Sequence, residues 1–236
     1  MIRTGPSRRQ FLLASMAIAC GAVAPLRTAF ANSRPTGDDW DAFVAAMRAL
    51  ANDYDARRTT PDQLAPRGIA YLKAVAIGSA SFAEAVAEAY ESGNRFWLWQ
   101  RMLKDANLNG GILHIGSDHL VQLHDHPGAT GILRIISGEV EVWQYDRLSD
   151  QGDGSHTELQ LTEHRILKPG DTAVLSPDKG NIHALRSISA ECRMLDFFIP
   201  PYQRALRTWF EPVGNDWRTQ DRITCRYIPE QAYEGA

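Results

Sequence analysis

The sequence predicts a mainly β domain, a small sandwich or barrel, led by an α-helical segment. Three observations carry that expectation. From about residue 95 onward, short apolar or alternating runs recur at regular spacing between turn residues. Ahead of that point the apolar residues follow a helical period instead. Near the middle stands Gln122-Leu123-His124-Asp125-His126-Pro127-Gly128-Ala129-Thr130, a strand-like stretch that carries two histidines one residue apart and then halts. Side chains at i and i+2 of a strand share a face, so His124 and His126 point together and Asp125 points away. Pro127-Gly128 supplies the turn, proline by fixing φ and glycine by accepting positive φ. Two such imidazoles suit a metal, and equally a polar patch beside a turn; a third ligand and an enclosing fold decide between them.

The chain has 236 residues, and the first 31 stand apart from the domain. Ser7-Arg8-Arg9-Gln10-Phe11-Leu12-Leu13 is a twin-arginine signature, followed by an apolar run from Leu12 to Ala24. Ala29-Phe30-Ala31 has the small-x-small form of a signal peptidase site. The run is interrupted by Pro25 and Arg27 and is short for a membrane span. We therefore expect a signal peptide at 1–31 and a periplasmic product. Cys20 is a weaker lipoprotein-cleavage candidate, lost if cleavage follows Ala31. Removing a leader with four arginines and no acids takes the formal net charge from −3 to −7. Such a charge argues against a nucleic-acid surface, and no second apolar run suggests a span.

Residues 32–37 (NSRPTG) read as a linker. Trp40, Phe43, Val44, Met47, Leu50 and Ala51 form the stripe of a first helix after Asp38-Asp39. Thr60-Pro61 opens a second, since proline is tolerated in the first helical turn, with Pro66 and Gly68 disturbing its early part. Residues 81–92 (SFAEAVAEAYES) form a third, ending at Gly93. The helical segment thus covers 32–94 and the β domain 95–236. Strands are expected at 96–99, 112–115, 120–124, 131–136, 139–145, 158–167, 172–175, 181–188, 191–199 and 221–228.

His183 is the next histidine with a telling setting. It opens a strand after Ser176-Pro177-Asp178-Lys179-Gly180-Asn181-Ile182. The pieces together resemble the cupin family, a double-stranded, jelly-roll-like β-barrel with a metal inside. Its first motif, G-x5-HxH-x4-E-x6-G, matches His124, His126 and Gly138, with Gly131 where the glutamate stands. Its second, G-x5-PxG-x2-H-x3-N, runs from Gly170 through Pro177 and Gly180 to His183 with one or two inserted residues. Losing the glutamate leaves a neutral three-histidine set and open metal positions.

That departure narrows the likeness. HDHPGAT, Ser137-Gly138, Gly180-Asn181-Ile182-His183 and Leu195-Asp196-Phe197-Phe198-Ile199-Pro200-Pro201-Tyr202 resemble the cysteamine dioxygenases and plant cysteine oxidases over roughly 95–228. The resemblance implies a non-haem Fe(II) enzyme that adds both atoms of O2 to a small thiol or an N-terminal cysteine, giving a sulfinate. It implies His124, His126 and His183 as metal ligands. It also marks Asp196 as an acid toward the substrate's amino end, with a structural, turn-capping acid as the alternative. Cys225-Arg226-Tyr227 is similar to the C-x-Y pair that forms a thioether in animal cysteamine dioxygenases. A free thiol beside a core tyrosine, or a disulfide from Cys225 to Cys192, are the other readings. Tyr227 could donate a hydrogen bond at the metal in either case.

Arg134, counted from Gly131, faces away from the metal, and Cys192 reads as a packing residue. His114, His119, His156 and His164 have no ligand context. Two rival functions remain on the sequence alone: a cupin dioxygenase acting on a non-thiol substrate, and a non-catalytic periplasmic metal-binding cupin.

Overall fold

The computed structural model describes residues 40–96, 98–150, 154–201 and 206–229. The expected leader and the linker at 32–37 lie outside the described residues, as does Tyr202.

Among the described residues three helices come first: α1 (Trp40–Asp55), α2 (Pro61–Ala74) and α3 (Ala80–Glu91). The apolar stripe predicted for α1 is the face it buries. Gln63 accepts a hydrogen bond from the Thr60 backbone N–H at 3.2 Å and so closes the start of α2, while the Ser79 hydroxyl accepts from Phe82 N–H at 3.2 Å and caps α3. Pro66 lies inside α2 and forgoes one backbone hydrogen bond there, yet the helix runs on to Ala74. Gly68 has a packing reason: a Cβ there would lie 2.5 Å from Ile132 Cδ1, so glycine lets α2 settle onto the sheet.

Twelve strands follow among the described residues: β1 (Arg95–Phe96), β2 (Trp99–Lys104), β3 (Asn109–Gly116), β4 (Leu120–His124), β5 (Thr130–Ser137), β6 (Val140–Asp150), β7 (His156–Leu167), β8 (Thr172–Leu175), β9 (Ile182–Ser187), β10 (Glu191–Ile199), β11 (Trp209–Pro212) and β12 (Arg222–Ile228). Six form a sheet in the order β1-β2-β3-β10-β5-β8. The other six, β11-β12-β7-β6-β9-β4, close into a ring through the pairing of Trp209 with His124. The fold is therefore the mainly β cupin barrel with a helical lead-in.

Two details differ from the sequence expectation. The run 96–99 is split between two strands, and β11 was not foreseen. Trp-Phe-Glu-Pro is only four residues long and ends in proline, so it offers too little alternation to read as a strand.

Alternation on β10 decides what each face of the first sheet does. Leu195, Phe197 and Ile199 face the helices and join Ile112 and Ile132 in one core with Phe43, Met47, Leu50 and Leu64. Met194, Asp196 and Phe198 face the other way, into a cavity. Helices and sheet thus share a single apolar core. Arg134 reinforces the joint from β5. As expected it turns away from the histidines, and its guanidinium donates to the carbonyls of Leu72 (2.8 Å), Lys73 (3.2 Å) and Val75 (2.8 Å) at the end of α2. A cation there meets the last carbonyls of the helix, of which Leu72 C=O also accepts from Val75 N–H at 3.4 Å, and the negative end of the helix dipole.

We expect Arg134→Met to lower unfolding stability by about 2 kcal/mol, the scale of hydrogen bonds from a charged group. Urea denaturation of the variant against the unaltered protein measures it.

Candidate metal centre and its cavity

β4 and β9 pair so that His124 lies opposite His183. The ladder slips between Val121 and His124, which lets both residues face the cavity while Leu123 turns to the opposite side. His126 lies just past the end of β4, so strand alternation does not hold it. Asn181 does. Its side chain accepts from His126 N–H at 2.7 Å and donates to His126 C=O at 3.2 Å, fastening the turn to the chain that enters β9. Asp125 points away from the histidines, as expected, and performs a matching task on the other flank. Its carboxylate accepts from Thr208 N–H at 2.7 Å, and its own N–H donates to Thr208 C=O at 3.1 Å.

The result is three buried imidazoles with their Nε2 atoms converging. His183 Nε2 lies 3.2 Å from His124 Nε2 and 3.3 Å from His126 Nε2. His124 Nδ1 is 2.7 Å from the Gln122 carbonyl, a contact only a protonated Nδ1 can make, which leaves the lone pair on Nε2. Burial holds all three rings neutral. It pushes His183 down to about 3. His124 and His126 fall well below the usual imidazole range, first through burial and then through neighbouring rings and the Arg207 cation. Neutral imidazoles are the form that binds metal. At a metal–nitrogen distance of about 2.1 Å, donors at right angles sit about 3 Å apart, so the spacing fits an ion held on one triangular face. Among the described residues this trio is the grouping that could hold a metal.

Gly131 explains why no carboxylate joins the set. It pairs with Phe198, and a Cβ at 131 would lie 3.0 Å from both Phe198 Cε1 and Leu175 Cδ1. The Phe198 ring occupies that side and stacks against His126 at 4.6 Å. An apolar wall stands where a charged ligand would otherwise reach.

The cavity has about 600 Å³ of empty space, mouth included. Leu113, Leu133, Leu185 and Met194 line it, with Trp99 over Gly111, whose Cβ would lie 2.6 Å from the indole. Asp196, Asn109 and Arg207 are its polar members beside the histidines. Burial pushes the Asp196 carboxyl up to about 7.

The structure thus brings Asp196 to the same cavity as the three histidines, and does not bring Cys225 or Tyr227 there. Ile182 and Ala184, on the face of β9 opposite His183, pack with Cys225, Trp143, Tyr145 and Phe210, and Tyr227 lies against that second cluster. Cys225 and Tyr227 share a face of β12 but look away from the metal centre. Cys192 belongs to a different cluster, and both thiols are free, so no disulfide joins them. Arg207 and Asn181 were not singled out from sequence. Arg207 precedes an unforeseen strand, and the signal that could have found it is the Arg-x-Trp spacing ahead of that strand.

With this geometry in view, comparison with known proteins is specific. The PCO_ADO family model matches residues 80–210. The chain belongs to this family. The 2-aminoethanethiol dioxygenase of Mus musculus is 28% identical over 113 residues, covering 39% of this chain and 44% of that one. The human 2-aminoethanethiol dioxygenase is 27% identical over 115 residues, 39% and 42% of the two chains. Plant cysteine oxidase 1 of Arabidopsis thaliana is 31% identical over 96 residues, 39% and 32% of the two. Each match spans less than half the length of these relatives. Among solved structures, a conserved protein with a double-stranded beta-helix domain from Klebsiella pneumoniae is similar over 48% of this chain and 83% of that one, at 20% identity and a TM-score of 0.36.

The Asp196 shift has a stability consequence. The carboxyl is raised from 3.8 to about 7, so between those values the folded protein holds a proton that the unfolded chain releases. Stability from this group is complete below pH 3.8 and is lost as pH rises toward 7. In metal-free protein, Asp196→Asn should therefore gain in melting temperature over the unaltered protein as pH is raised from 4 to 7, and the gain should level off above that. Thermal melts across this range check the sign.

Proposed function

We propose that this protein is an Fe(II)-dependent thiol dioxygenase that converts a small thiol, or a cysteine at a chain's amino end, into a sulfinate (R–SH + O2 → R–SO2⁻ + H⁺). The observation that carries the reading is the three-histidine centre without a carboxylate, set in a largely apolar cavity of a chain from this family. His124, His126 and His183 would hold the ion as neutral donors. Iron(II) bound there would supply the positive charge that favours a thiolate and the means of adding dioxygen to sulfur.

The protein's own contribution is placement and dryness. Phe198 and Trp209 hold the imidazoles from the sides, with ring separations of 4.6 Å to His126 and to His124 respectively. Leu113, Leu133, Leu185 and Met194 keep water from the reacting atoms and leave a short thiol few poses. Asp196 offers a carboxyl that can accept from a substrate amine across the cavity. Because Cys225 and Tyr227 lie outside this cavity, any thioether between them would act on the second core and not on the reacting sulfur.

The deciding experiment is mass spectrometry of thiol products after aerobic incubation with the Fe(II)-loaded protein. Sulfinate should form, and His183→Ala should lose both bound iron and at least about 100-fold of the activity, since a required metal ligand is removed. Iron bound without a sulfinate from any thiol would instead favour a non-thiol dioxygenase or a binding protein.

We also propose export by the twin-arginine route, supported by Ser7-Arg8-Arg9-Gln10-Phe11-Leu12-Leu13 and Ala29-Phe30-Ala31. That route carries folded proteins, so iron could be loaded before export. Replacing Arg8 and Arg9 together by lysine should hold the uncleaved protein in the cytoplasm, read by fractionation and immunoblotting; unchanged periplasmic yield would refute it.

A further inference from the structure

Among the described residues, the Trp99 indole Nε1 and the Asn109 side-chain Oδ1 are buried without a hydrogen-bond partner, and both residues line the cavity beside the histidines. A buried donor and a buried acceptor left unpaired each carry a cost, so finding both in one cavity points to a ligand that pairs them. The two meet at Gly111. A Cβ there would lie 2.6 Å from Trp99 Cε2, the ring atom bonded to Nε1, so the donor edge of the indole covers the glycine. Asn109 precedes Gly111 by two residues on β3 and shares its face. Asp196 stands directly opposite Gly111, and Phe198 directly opposite Asn109. The Phe198 ring lies 4.6 Å from that of His126, so only one side chain separates Asn109 from the metal centre.

What each group can do sets the chemistry of the ligand. An indole N–H only donates, and an amide oxygen only accepts. An ammonium would leave Trp99 unpaired, and a carboxylate would leave Asn109 unpaired. A secondary amide carries one N–H and one C=O that point in opposite directions, so it serves both. The spacing suits it as well. Residues two apart on a strand are separated by about 7 Å. Partners at the two ends of an amide, each about 2.9 Å from it, stand at a similar separation. An uncharged group is also far less costly than an ion to bring against a mostly apolar wall.

Resting on the thiol dioxygenase reading, we propose that Trp99 and Asn109 form a subsite for a secondary amide, Trp99 donating to its C=O and Asn109 accepting from its N–H. The substrate is then a thiol with an amide two carbons from sulfur. Two kinds of molecule offer that group. One is an N-acylcysteamine, in which the nitrogen of cysteamine is acylated. The other is a cysteine-led peptide, whose first peptide bond supplies the amide and whose amine adds a group for Asp196. Cysteamine itself has no acceptor for Trp99, and 3-mercaptopropionate has no donor for Asn109.

The test separates binding from turnover. Fe(II)-loaded protein is titrated by calorimetry without oxygen against N-acetylcysteamine, N-acetyl-N-methylcysteamine, cysteinylglycine amide, cysteamine and 3-mercaptopropionate. Sulfinate production from each is then measured in air. In the unaltered protein, N-acetylcysteamine should bind about 10-fold tighter than its N-methylated form, which has no N–H, and tighter than cysteamine or 3-mercaptopropionate. That comparison needs no variant, so it stands even if a substitution disturbs the fold. Trp99→Phe and Asn109→Leu, checked for iron content and melting temperature, should each raise the Kd of N-acetylcysteamine about 5- to 100-fold, the range for leaving one buried hydrogen-bonding group unpaired. In Asn109→Leu the N-methylated form should bind as well as its parent, because the acceptor it fails to reach is gone. Tighter binding of cysteinylglycine amide than of N-acetylcysteamine upholds the subsite and assigns it to a peptide; the reverse order upholds it and assigns it to an N-acylcysteamine. Equal affinity for N-acetylcysteamine and its N-methylated form in the unaltered protein, or a preference for cysteamine or 3-mercaptopropionate, overturns the subsite while sulfinate formation still upholds the dioxygenase. Amide-selective binding that yields no sulfinate upholds the subsite and overturns the dioxygenase reading instead.

Discussion

Two hydrogen bonds from one amide side chain govern the geometry of the metal centre. Asn181 satisfies both the N–H and the C=O of His126, a residue that has already left its strand. Strand pairing fixes His124 against His183. Without the Asn181 clamp the turn that carries the third imidazole would lose its tie to the chain entering β9, and the ring would keep only its side contacts such as that with Phe198. With the clamp, the ligand atoms of the three rings lie within 4.8 Å of one another, and burial then keeps the rings uncharged. Asp125 repeats the arrangement on the other flank, closing the ring of strands at Thr208 and carrying Arg207 and Trp209 to the rim. The centre is thus rigid because backbone groups on both sides of the turn are paired, and its ligand atoms need no reorganisation before a metal arrives.

The cavity shows how missing side chains can define a site. Gly131 and Gly111 both face it, and each leaves its space to an aromatic ring, Phe198 in one case and Trp99 in the other. A glutamate at 131 would need room that Phe198 already fills. The exclusion of a carboxylate ligand is therefore a packing decision distributed over two strands, and changing residue 131 alone would not restore an acidic site.

Much of this could be read in the sequence because its signals are local. The spacing of His124 and His126, the Pro-Gly turn and the run into His183 all lie within short windows, and the helical stripe of α1 is visible in its apolar positions. Arg134 is placed on the outer face by counting alone, and its pairing with Leu195 on β10 lies in the part of the ladder that keeps register. What stayed hidden depends on pairing between distant parts. β11 is a strand because β4 and β12 flank it, not because Trp-Phe-Glu-Pro has a strand's pattern. Arg207 was lost with it. Cys225 and Tyr227 were correctly seen to share a face, but which face meets the metal depends on the ring of strands, and alternation along one strand cannot supply that.

The core shared between helices and sheet bears on where this protein may be cut. Ile112, Ile132, Leu195, Phe197 and Ile199 are covered by α1 to α3. A chain begun at β1 would present these five side chains to water on one face of the sheet that walls the cavity, a surface prone to sticking. A unit meant to fold by itself therefore has to include α1 to α3. The helices are not an appendage that a shortened protein could shed, but the outer half of the wall on which Asp196 and Phe198 stand.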